Sequence, residues 1–358
     1  MNTVLVDALY YSGTRGGMES YLRSLYSRMP QSEFDFVAFG SREFARADTS
    51  WFPGEVIDSG ISSIGRVSWA AGELTAVSRA AHHHRAALIH SPANVGPWVS
   101  RTPVVLTVHD LLPFRHPQFV PGPYAPVLRA LVRGAARHAR RVITISQRSR
   151  ADIMELLHIP AERIDTIPLA GSRAVASPGA QREPGLLLAL GNRLPHKNFE
   201  GLIEALALVN AQKRPRLVIP GGNDADPLRS LVNNLGLQDW VELRGWIDND
   251  DLESLYARAT AVVIPSRFEG FGLPVLEAMA RGCPVICSDL PVLHEVASDA
   301  AVYFDPSRAA SIATAISATL ADPPLLRRLA SAGTRRAGLF SWDRTAAATL
   351  QSFERALA

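Results

Sequence analysis

Cysteine and long apolar runs are both scarce in this sequence of 358 residues. The two cysteines, Cys283 and Cys287, have no second pair, and His294 alone does not complete a tetrahedral ligand set, which argues against structural zinc. We interpret them as buried thiols in a reducing compartment. No window approaches the roughly eighteen uninterrupted apolar residues of a membrane span, and the first residues lack the regions of a signal peptide. We therefore expect a cytoplasmic protein whose membrane contact, if any, is peripheral.

Lysine is equally scarce, because Lys197 and Lys213 are the only two in the chain and arginine supplies the rest of the basic charge. The formal net charge is +3. Such a mild excess fits phosphate ligands or an anionic membrane surface as well as nucleic acid, so the total charge separates these partners poorly. Only the placement of the cations is informative.

Acidic residues are absent between Tyr124 and Ala151, where arginines accumulate. Arg129, Arg133 and Arg137 recur every four residues and would share one face of a predicted helix. An ordinary solvated helix face and a dock for anionic lipid both explain this pattern, and both stay open.

Strand-length apolar runs alternate with helix-like segments through both halves of the chain. The runs are 4–9, 34–39, 87–90, 104–109 and 141–146 in the first half, and 186–190, 216–222, 241–245, 261–266, 284–289 and 301–305 in the second. This alternation predicts the α/β class, with a doubly wound parallel sheet in each half.

A segment rich in proline and glycine separates the halves, and we interpret residues 169–184 as a linker. It divides the chain into a first domain at 1–168 and a second at 185–341. The last helix-like run, 342–358, either ends the second domain or crosses back onto the first. Open α/β sheets bind ligands at the carboxyl ends of their strands, so a cleft between the two domains is the predicted active site.

The predicted strand 261–266 leads into a glycine-rich turn and a short helix, for which Pro274 suits the start and Gly282 the end. Unpaired N–H groups and the helix dipole make such a start an anion site. Glu269 and Glu277 would repel an anion, so we expect them to accept hydrogen bonds from hydroxyl groups. The alternative is a loop charge at Glu269 and simple dipole complementarity at Glu277.

The same stretch carries a resemblance to a known family. It runs Glu269-Gly270-Phe271-Gly272-Leu273-Pro274, then Glu277-Ala278-Met279-Ala280 and Gly282-Cys283-Pro284-Val285. This run resembles the Glu-x7-Glu signature of retaining nucleotide-sugar glycosyltransferases of the GT-B fold, family four. The resemblance implies two Rossmann-like domains facing a central cleft, with the donor on the second domain and the acceptor on the first.

The resemblance also implies roles for individual residues of the signature. Glu269 would lie near the transferred sugar, and Glu277 would hold the nucleotide ribose. The backbone amides between them would bind sugar hydroxyls and diphosphate; these belong to Gly270, Phe271, Gly272 and Leu273.

Two further donor residues follow the first strand of the second domain, in a segment similar to the family's diphosphate-binding stretch. Lys197 would neutralise the leaving diphosphate as a compact cation. Arg193 would assist it, although a solvated loop arginine explains that residue equally well.

The remaining implied site residues are spread over both domains. His109, at the end of a strand, would line the donor sugar; the alternative is a structural histidine. Gly16 and Gly17 resemble the glycine-rich loop that closes over the diphosphate. Ile247 would lie near the nucleobase, whereas the alternative for its segment is a turn in which Asp248 or Asn249 caps the next helix.

The family's usual mechanism is a front-face displacement, in which the leaving phosphate oxygen takes the proton of the acceptor hydroxyl. The resemblance therefore makes Glu269, His109 and Lys197 the catalytic residues. It requires no cofactor and no essential metal. Asp224-Ala225-Asp226 matches a metal-binding triplet in its letters, but a helix start explains it as well.

The segments 108–117 and 191–198 look most like bacterial mannosyltransferases of polysaccharide assembly. We expect a hexose, with mannose from GDP-mannose as the first choice, to reach a hydroxyl of a saccharide, lipid-linked or small-molecule acceptor. The alternatives are a UDP- or dTDP-sugar donor, a sugar-nucleotide epimerase on the same fold, and a non-catalytic sugar-nucleotide-binding subunit. We predict no nucleic-acid partner.

Overall fold

The computed structural model describes residues 2–13, 16–120, 122–171, 182–223 and 225–358. The chain divides into two compact units, one formed by Met1–Leu169 with Ser341–Ala358 and the other by Ala170–Phe340. Most of the predicted linker, residues 172–181, lies outside the described residues.

The first unit is built on a parallel sheet of seven strands. These are β1 Asn2–Ala8, β2 Phe34–Gly40, β3 Gly54–Asp58, β4 Leu88–Ser91, β5 Val104–Val108, β6 Arg141–Thr144 and β7 Ile164–Thr166, in the spatial order β3-β2-β1-β4-β5-β6-β7. Its helices are α1 Gly17–Tyr26, α2 Arg42–Arg46, α3 Arg66–Ala71, α4 Val77–His83, α5 Leu112–Arg115, α6 Ala125–His138 and α7 Gln147–Leu157, with a π-helical turn at Gly72–Ala76 and 3-10 turns at Pro117–Phe119, Gly122–Tyr124 and Ala161–Arg163. The central strands are apolar and buried because helices cover both faces of the sheet.

The second unit repeats the architecture with a parallel sheet of six strands. They are β8 Leu186–Leu188, β9 Arg216–Ile219, β10 Val241–Leu243, β11 Ala261–Ile264, β12 Val285–Ser288 and β13 Ala301–Phe304, in the order β10-β9-β8-β11-β12-β13. The helices are α8 Phe199–Leu208, α9 Leu228–Asn234, α10 Asn249–Arg258, α11 Leu273–Ala280, α12 Pro291–Ala297, α13 Ala309–Leu320 and α14 Pro323–Ala337, with 3-10 turns at Pro195–Lys197 and Ala211–Lys213. The order reverses between β8 and β11, and ligands of such sheets bind beside that switch point.

The final helix, α15 Trp342–Leu357, belongs to the first unit. Thr345 donates a hydrogen bond to the carbonyl of Pro168, and Ser352 donates one to Asp165. Phe353 is fully buried. Of the two positions that the sequence leaves open for this helix, the structure adopts the one on the first unit.

Two strands of the first sheet escape the sequence analysis. Both β3 and β7 lie at an edge of the sheet, where one strand neighbour is missing. Strand β3 has no buried residue, so it does not need the apolar run by which central strands are recognised.

Candidate functional site

The turn between β11 and α11 presents a helix start at the carboxyl edge of the second sheet. Gly272 precedes the helix with φ of +103°, and a Cβ there would come within 2.5 Å of the Cδ2 of Leu293. Only glycine meets both conditions without strain. Helix α11 begins at Leu273, so Pro274 occupies its second position rather than the first. In this first turn Pro274 has no N–H and Val275 donates to the carbonyl of Gly272 at 3.0 Å, so the N–H of Leu273 is the one that has no acceptor within the helix.

A buried ion pair lies beside this turn. Lys197 ends the 3-10 turn Pro195–Lys197, and its Nζ donates to Oε1 of Glu269 at 2.8 Å. The side chains of Lys197 and Glu269 are only 17% and 9% exposed. Ser266, which is fully buried, donates its hydroxyl to the same oxygen at 2.7 Å. The structure thus brings two of the predicted catalytic residues together.

Asn198 fixes the turn that carries the lysine. It adopts φ of +56°, a left-handed conformation that asparagine tolerates better than most residues. Its buried side chain donates to the carbonyls of Pro265 and Pro306, each at 3.0 Å. The sequence analysis misses this residue, although an asparagine directly after the lysine is a recognisable turn signal.

Glu277 is held by a second set of side chains. The buried Tyr256 donates its hydroxyl to Oε2 of Glu277 at 3.3 Å. The guanidinium of Arg281 lies 4.6 Å from the Tyr256 ring centroid, forms an ion pair with Glu253, and donates to the Glu277 carbonyl. Neither Tyr256 nor Arg281 is found by sequence, because their partners are distant in the chain or on a neighbouring helical turn.

Arg193 is neither solvated nor free to turn. Its Nε donates to Oδ2 of Asp226 at 2.8 Å, and its terminal nitrogens donate to the carbonyls of Pro220 and Ile219. The side chain is 11% exposed, so the solvated-loop interpretation is wrong. Asp226 also accepts from the N–H of Leu228 at the start of α9, whereas Asp224 lies outside the described residues.

The loop of Ile247 leads into α10. Ile247 is half-buried, next to Trp246, which is 76% exposed. Asp248 caps α10 by accepting from the N–H of Asp251 at 2.8 Å, as the turn interpretation expects. The cap uses the side chain of Asp248 and no group of Ile247, so the two interpretations are compatible.

In the first unit, Gly16 and Gly17 stand at the start of α1. Gly16 adopts φ of +61°, which glycine allows. Glu19, in the first turn of α1, accepts from the N–H and the hydroxyl of Ser12 and so links Ser12 to that helix turn. Thr14 and Arg15 lie outside the described residues.

His109, directly after β5, is a buried neutral imidazole. Its Nε2 lies 2.8 Å from the carbonyl oxygen of Pro92, and its backbone N–H donates to Oδ1 of Asn94. Because a carbonyl only accepts, Nε2 carries the proton and Nδ1 is left as an acceptor. Burial lowers the pKa of His109 to about 4. Tyr21 packs edge-on against the ring at 4.8 Å.

Two of the three regularly spaced arginines of α6 have partners within the first unit. Arg129 donates to the carbonyl of Pro113, and the guanidinium of Arg133 lies over the ring of Phe114. Arg137 is exposed.

Within the described ranges, no helix combines the length and apolar character needed to cross a membrane, and no three His, Cys, Asp or Glu side chains gather as a metal site would need. Cys283 and Cys287 are free and buried, as expected.

Comparisons with known proteins agree on one family. Residues 173–336 match the model of glycosyl transferases group 1, and residues 15–170 match that of glycosyltransferase family 4. The O-antigen chain mannosyltransferase B of Escherichia coli is 33% identical over an alignment of 265 residues, which covers 70% of this chain and 70% of that protein.

Two solved structures show the same fold at low identity. Sucrose-phosphate synthase from Thermosynechococcus elongatus superposes with a TM-score of 0.81 at 21% identity, over 99% of this chain and 98% of that one. Anabaena HepE, solved in complex with UDP-glucose, gives a TM-score of 0.76 at 21% identity over 98% and 100% of the two chains. Together with the two parallel sheets, these likenesses confirm the predicted α/β class and the GT-B fold of two Rossmann-like domains.

Proposed function

Since the chain belongs to the glycosyltransferases of group 1 and family 4, we propose that it is a retaining hexosyltransferase that uses a nucleotide-sugar donor. GDP-mannose is the first choice of donor, because the O-antigen relative is a mannosyltransferase. The acceptor is a hydroxyl of a saccharide or glycoconjugate. The observation that carries the proposal is the buried Lys197–Glu269 pair beside the helix start of α11.

The chemistry of the second unit supports this assignment. The α11 start offers the backbone N–H of Leu273 and the positive end of the helix dipole to an anion, and Lys197 offers a positive charge, so a diphosphate suits both. Glu269 and Glu277 offer carboxylate acceptors for sugar and ribose hydroxyls. The other proposed donor contacts are Gly16, Gly17, Arg193, Ile247, Gly270, Phe271, Gly272 and Leu273, with His109 presenting Nδ1 as an acceptor.

In the proposed mechanism the anomeric carbon exchanges one oxygen for another on the same face. The bond to the donor phosphate breaks, the bond to the acceptor oxygen forms, and the leaving phosphate oxygen takes the acceptor proton. Lys197 and the α11 amides stabilise the charge on the departing diphosphate. The scheme needs no metal ion and no cofactor.

Thermal-shift titration identifies the donor first, because a ligand that binds the folded state raises its melting temperature. We expect a shift with GDP-mannose, and the same titration with UDP-glucose and dTDP-glucose tests the alternative donors. The donor that shifts is then incubated with candidate acceptors, and NMR reports the anomeric configuration of the product. An inverted product would contradict retention.

The two lysines provide a matched pair of variants. We expect Lys197→Ala to lower turnover by about a hundredfold, the range for losing one key electrostatic group. Lys213→Ala removes the same side chain from an exposed position of the second unit and should leave turnover unchanged. Equal rates in the two variants would overturn the site assignment.

The other two functional classes give different outcomes in the same assays. An epimerase would alter the donor sugar without an acceptor, and a binding subunit would shift its melting temperature without turnover. Peripheral membrane contact through Arg129, Arg133 and Arg137 is a separate proposal, supported only by the exposed Arg137. Co-sedimentation with anionic liposomes at low salt tests it, and absence of binding there would end it.

A further inference from the structure

Within the described ranges of the chain, Glu269 accepts hydrogen bonds at only one of its two carboxylate oxygens. Ser266 and Lys197 both donate to Oε1, and in the described part of the chain Oε2 accepts no hydrogen bond. An ionised carboxylate can accept at both oxygens. Oε2 is therefore the atom that this geometry leaves for a ligand hydroxyl.

The two donors to Oε1 differ in what a ligand does to them. Under the proposed function, on which this inference rests, the diphosphate attracts Lys197 electrostatically. A movement of the Lys197 ammonium toward the diphosphate weakens its hydrogen bond to Glu269, whose side chain is 9% exposed and is thus poorly compensated by water. The hydroxyl of Ser266 has no such competing partner.

Ser266 is anchored more firmly than a loop serine would be. On one side of it, the carbonyl of Pro265 accepts from the side chain of Asn198 at 3.0 Å. On the other side, the N–H of Arg267 donates to the carbonyl of His196 at 2.7 Å. Both bonds run to the turn that carries Lys197. These two hydrogen bonds join the segments that carry the two donors to Glu269.

We propose that Ser266 is a positioning residue of the transfer reaction: it holds Oε1 of Glu269 while Lys197 engages the diphosphate, and so aims Oε2 at one hydroxyl of the donor sugar. It does not touch the reacting atoms. Ser266 keeps the Glu269 carboxylate in place when Lys197 moves toward the diphosphate. The orientation of Oε2 is then the same in the free protein and in the reacting complex.

The chain offers a closely matched control for the simpler explanation that Ser266 merely satisfies its own buried hydroxyl. Ser288 ends the neighbouring strand β12, is also fully buried, and donates its hydroxyl to the carbonyl of Ile264 at 3.2 Å. Ser288→Ala removes a hydroxyl of the same type from the same sheet, without touching Glu269.

The test compares Ser266→Ala with Ser288→Ala in steady-state kinetics with the identified donor. We expect Ser266→Ala to lower kcat about tenfold or more, as for loss of a hydrogen bond to a charged group, while the donor KM changes less than about threefold. Ser288→Ala should retain the wild-type kcat. Thermal unfolding of both variants verifies that they fold.

Donors lacking one sugar hydroxyl at a time give the decisive readout. Removal of the hydroxyl that Oε2 binds should lower kcat of the wild type and of Ser288→Ala strongly. In Ser266→Ala the same removal should lower kcat by a factor at least about fivefold smaller, because the Glu269 carboxylate is already misaligned in that variant. If Ser266→Ala keeps the full sensitivity to every deoxy donor, Ser266 has no positioning role and the inference fails. If the wild type transfers no sugar at all, it is the proposed function that fails.

Discussion

Two carboxyl groups are buried side by side in the first unit, and they make its stability depend on pH. Asp7, on β1, is 1% exposed, and Glu73, in the π-helical turn Gly72–Ala76, is 2% exposed. Asp7 accepts from the N–H of Leu9 and the hydroxyl of Ser91. Burial, and then the neighbouring charge of Asp7, raise the pKa of Glu73 well above its usual range. Burial also raises the pKa of Asp7, but the hydrogen bonds that Asp7 accepts from Leu9 and Ser91 oppose this rise, so we assign the proton of the pair to Glu73.

The sign of the effect follows from the raised pKa. In the unfolded chain Glu73 ionises near pH 4.5, whereas in the folded protein it stays protonated to a higher pH. The contribution of Glu73 to the free energy of unfolding is complete below pH 4.5. It declines as pH rises toward the folded pKa, by about 1.4 kcal/mol per pH unit. Glu73→Gln replaces the protonated carboxyl by a neutral group of similar shape and removes this proton uptake.

Urea unfolding of the wild type and the Glu73→Gln variant at pH 5, 6 and 7 measures the difference. Pulsed hydrogen exchange on peptides of β1 reports the first unit alone, and comparison at equal pH cancels the intrinsic exchange rates. As pH rises from 5 to 7, the wild type should lose stability relative to the variant, by at most about 1.4 kcal/mol per pH unit. The exposed Glu55→Gln on β3 is the control. Parallel curves for wild type and Glu73→Gln would refute the assignment of the proton.

Three further predictions concern the second unit. Gly272→Ala should cost about 1–2 kcal/mol in urea unfolding, because alanine disfavours the positive φ and its Cβ would meet the buried Leu293; unchanged stability would contradict the close approach. Tyr256→Phe should raise the donor KM about fivefold with little change in kcat, because the Tyr256 hydroxyl donates to the Glu277 carboxylate, which binds the donor in the proposed function. A change in kcat alone would contradict that role. Asn198→Gly keeps the left-handed backbone but loses two buried side-chain hydrogen bonds, so it should destabilise the protein by about 1–3 kcal/mol. Thermal unfolding measures this loss, and an unchanged melting temperature would show that the two hydrogen bonds are dispensable.

The sequence predicts best those features that local chemistry determines. Residues close together in the chain determine the central strands, through their apolar runs, and the start of α11, through its glycines. The structure forms β11 and α11 where they are expected. The α/β class follows from the alternation of such elements. The edge strand β3 escapes because partial burial places few demands on its composition.

Long-range pairing accounts for what the sequence does not reveal at the site. The partner of Arg193 is Asp226, 33 positions away, and nothing in either neighbourhood indicates that they meet. Ser266 lies three residues before Glu269, but its role depends on Lys197, which reaches the same oxygen from 72 positions away. Such pairs become visible only once the fold has brought their strands to a common edge.

The position of α15 has a consequence for synthesis on the ribosome. All residues of the second unit, Ala170–Phe340, have been translated before α15 begins, so that unit can complete its fold first. The first unit cannot complete its core until α15 has been translated, because Phe353 packs there against Phe34 and His90. A chain that stops before α15 would therefore lose core contacts in the first unit, whose other residues are translated before the second unit.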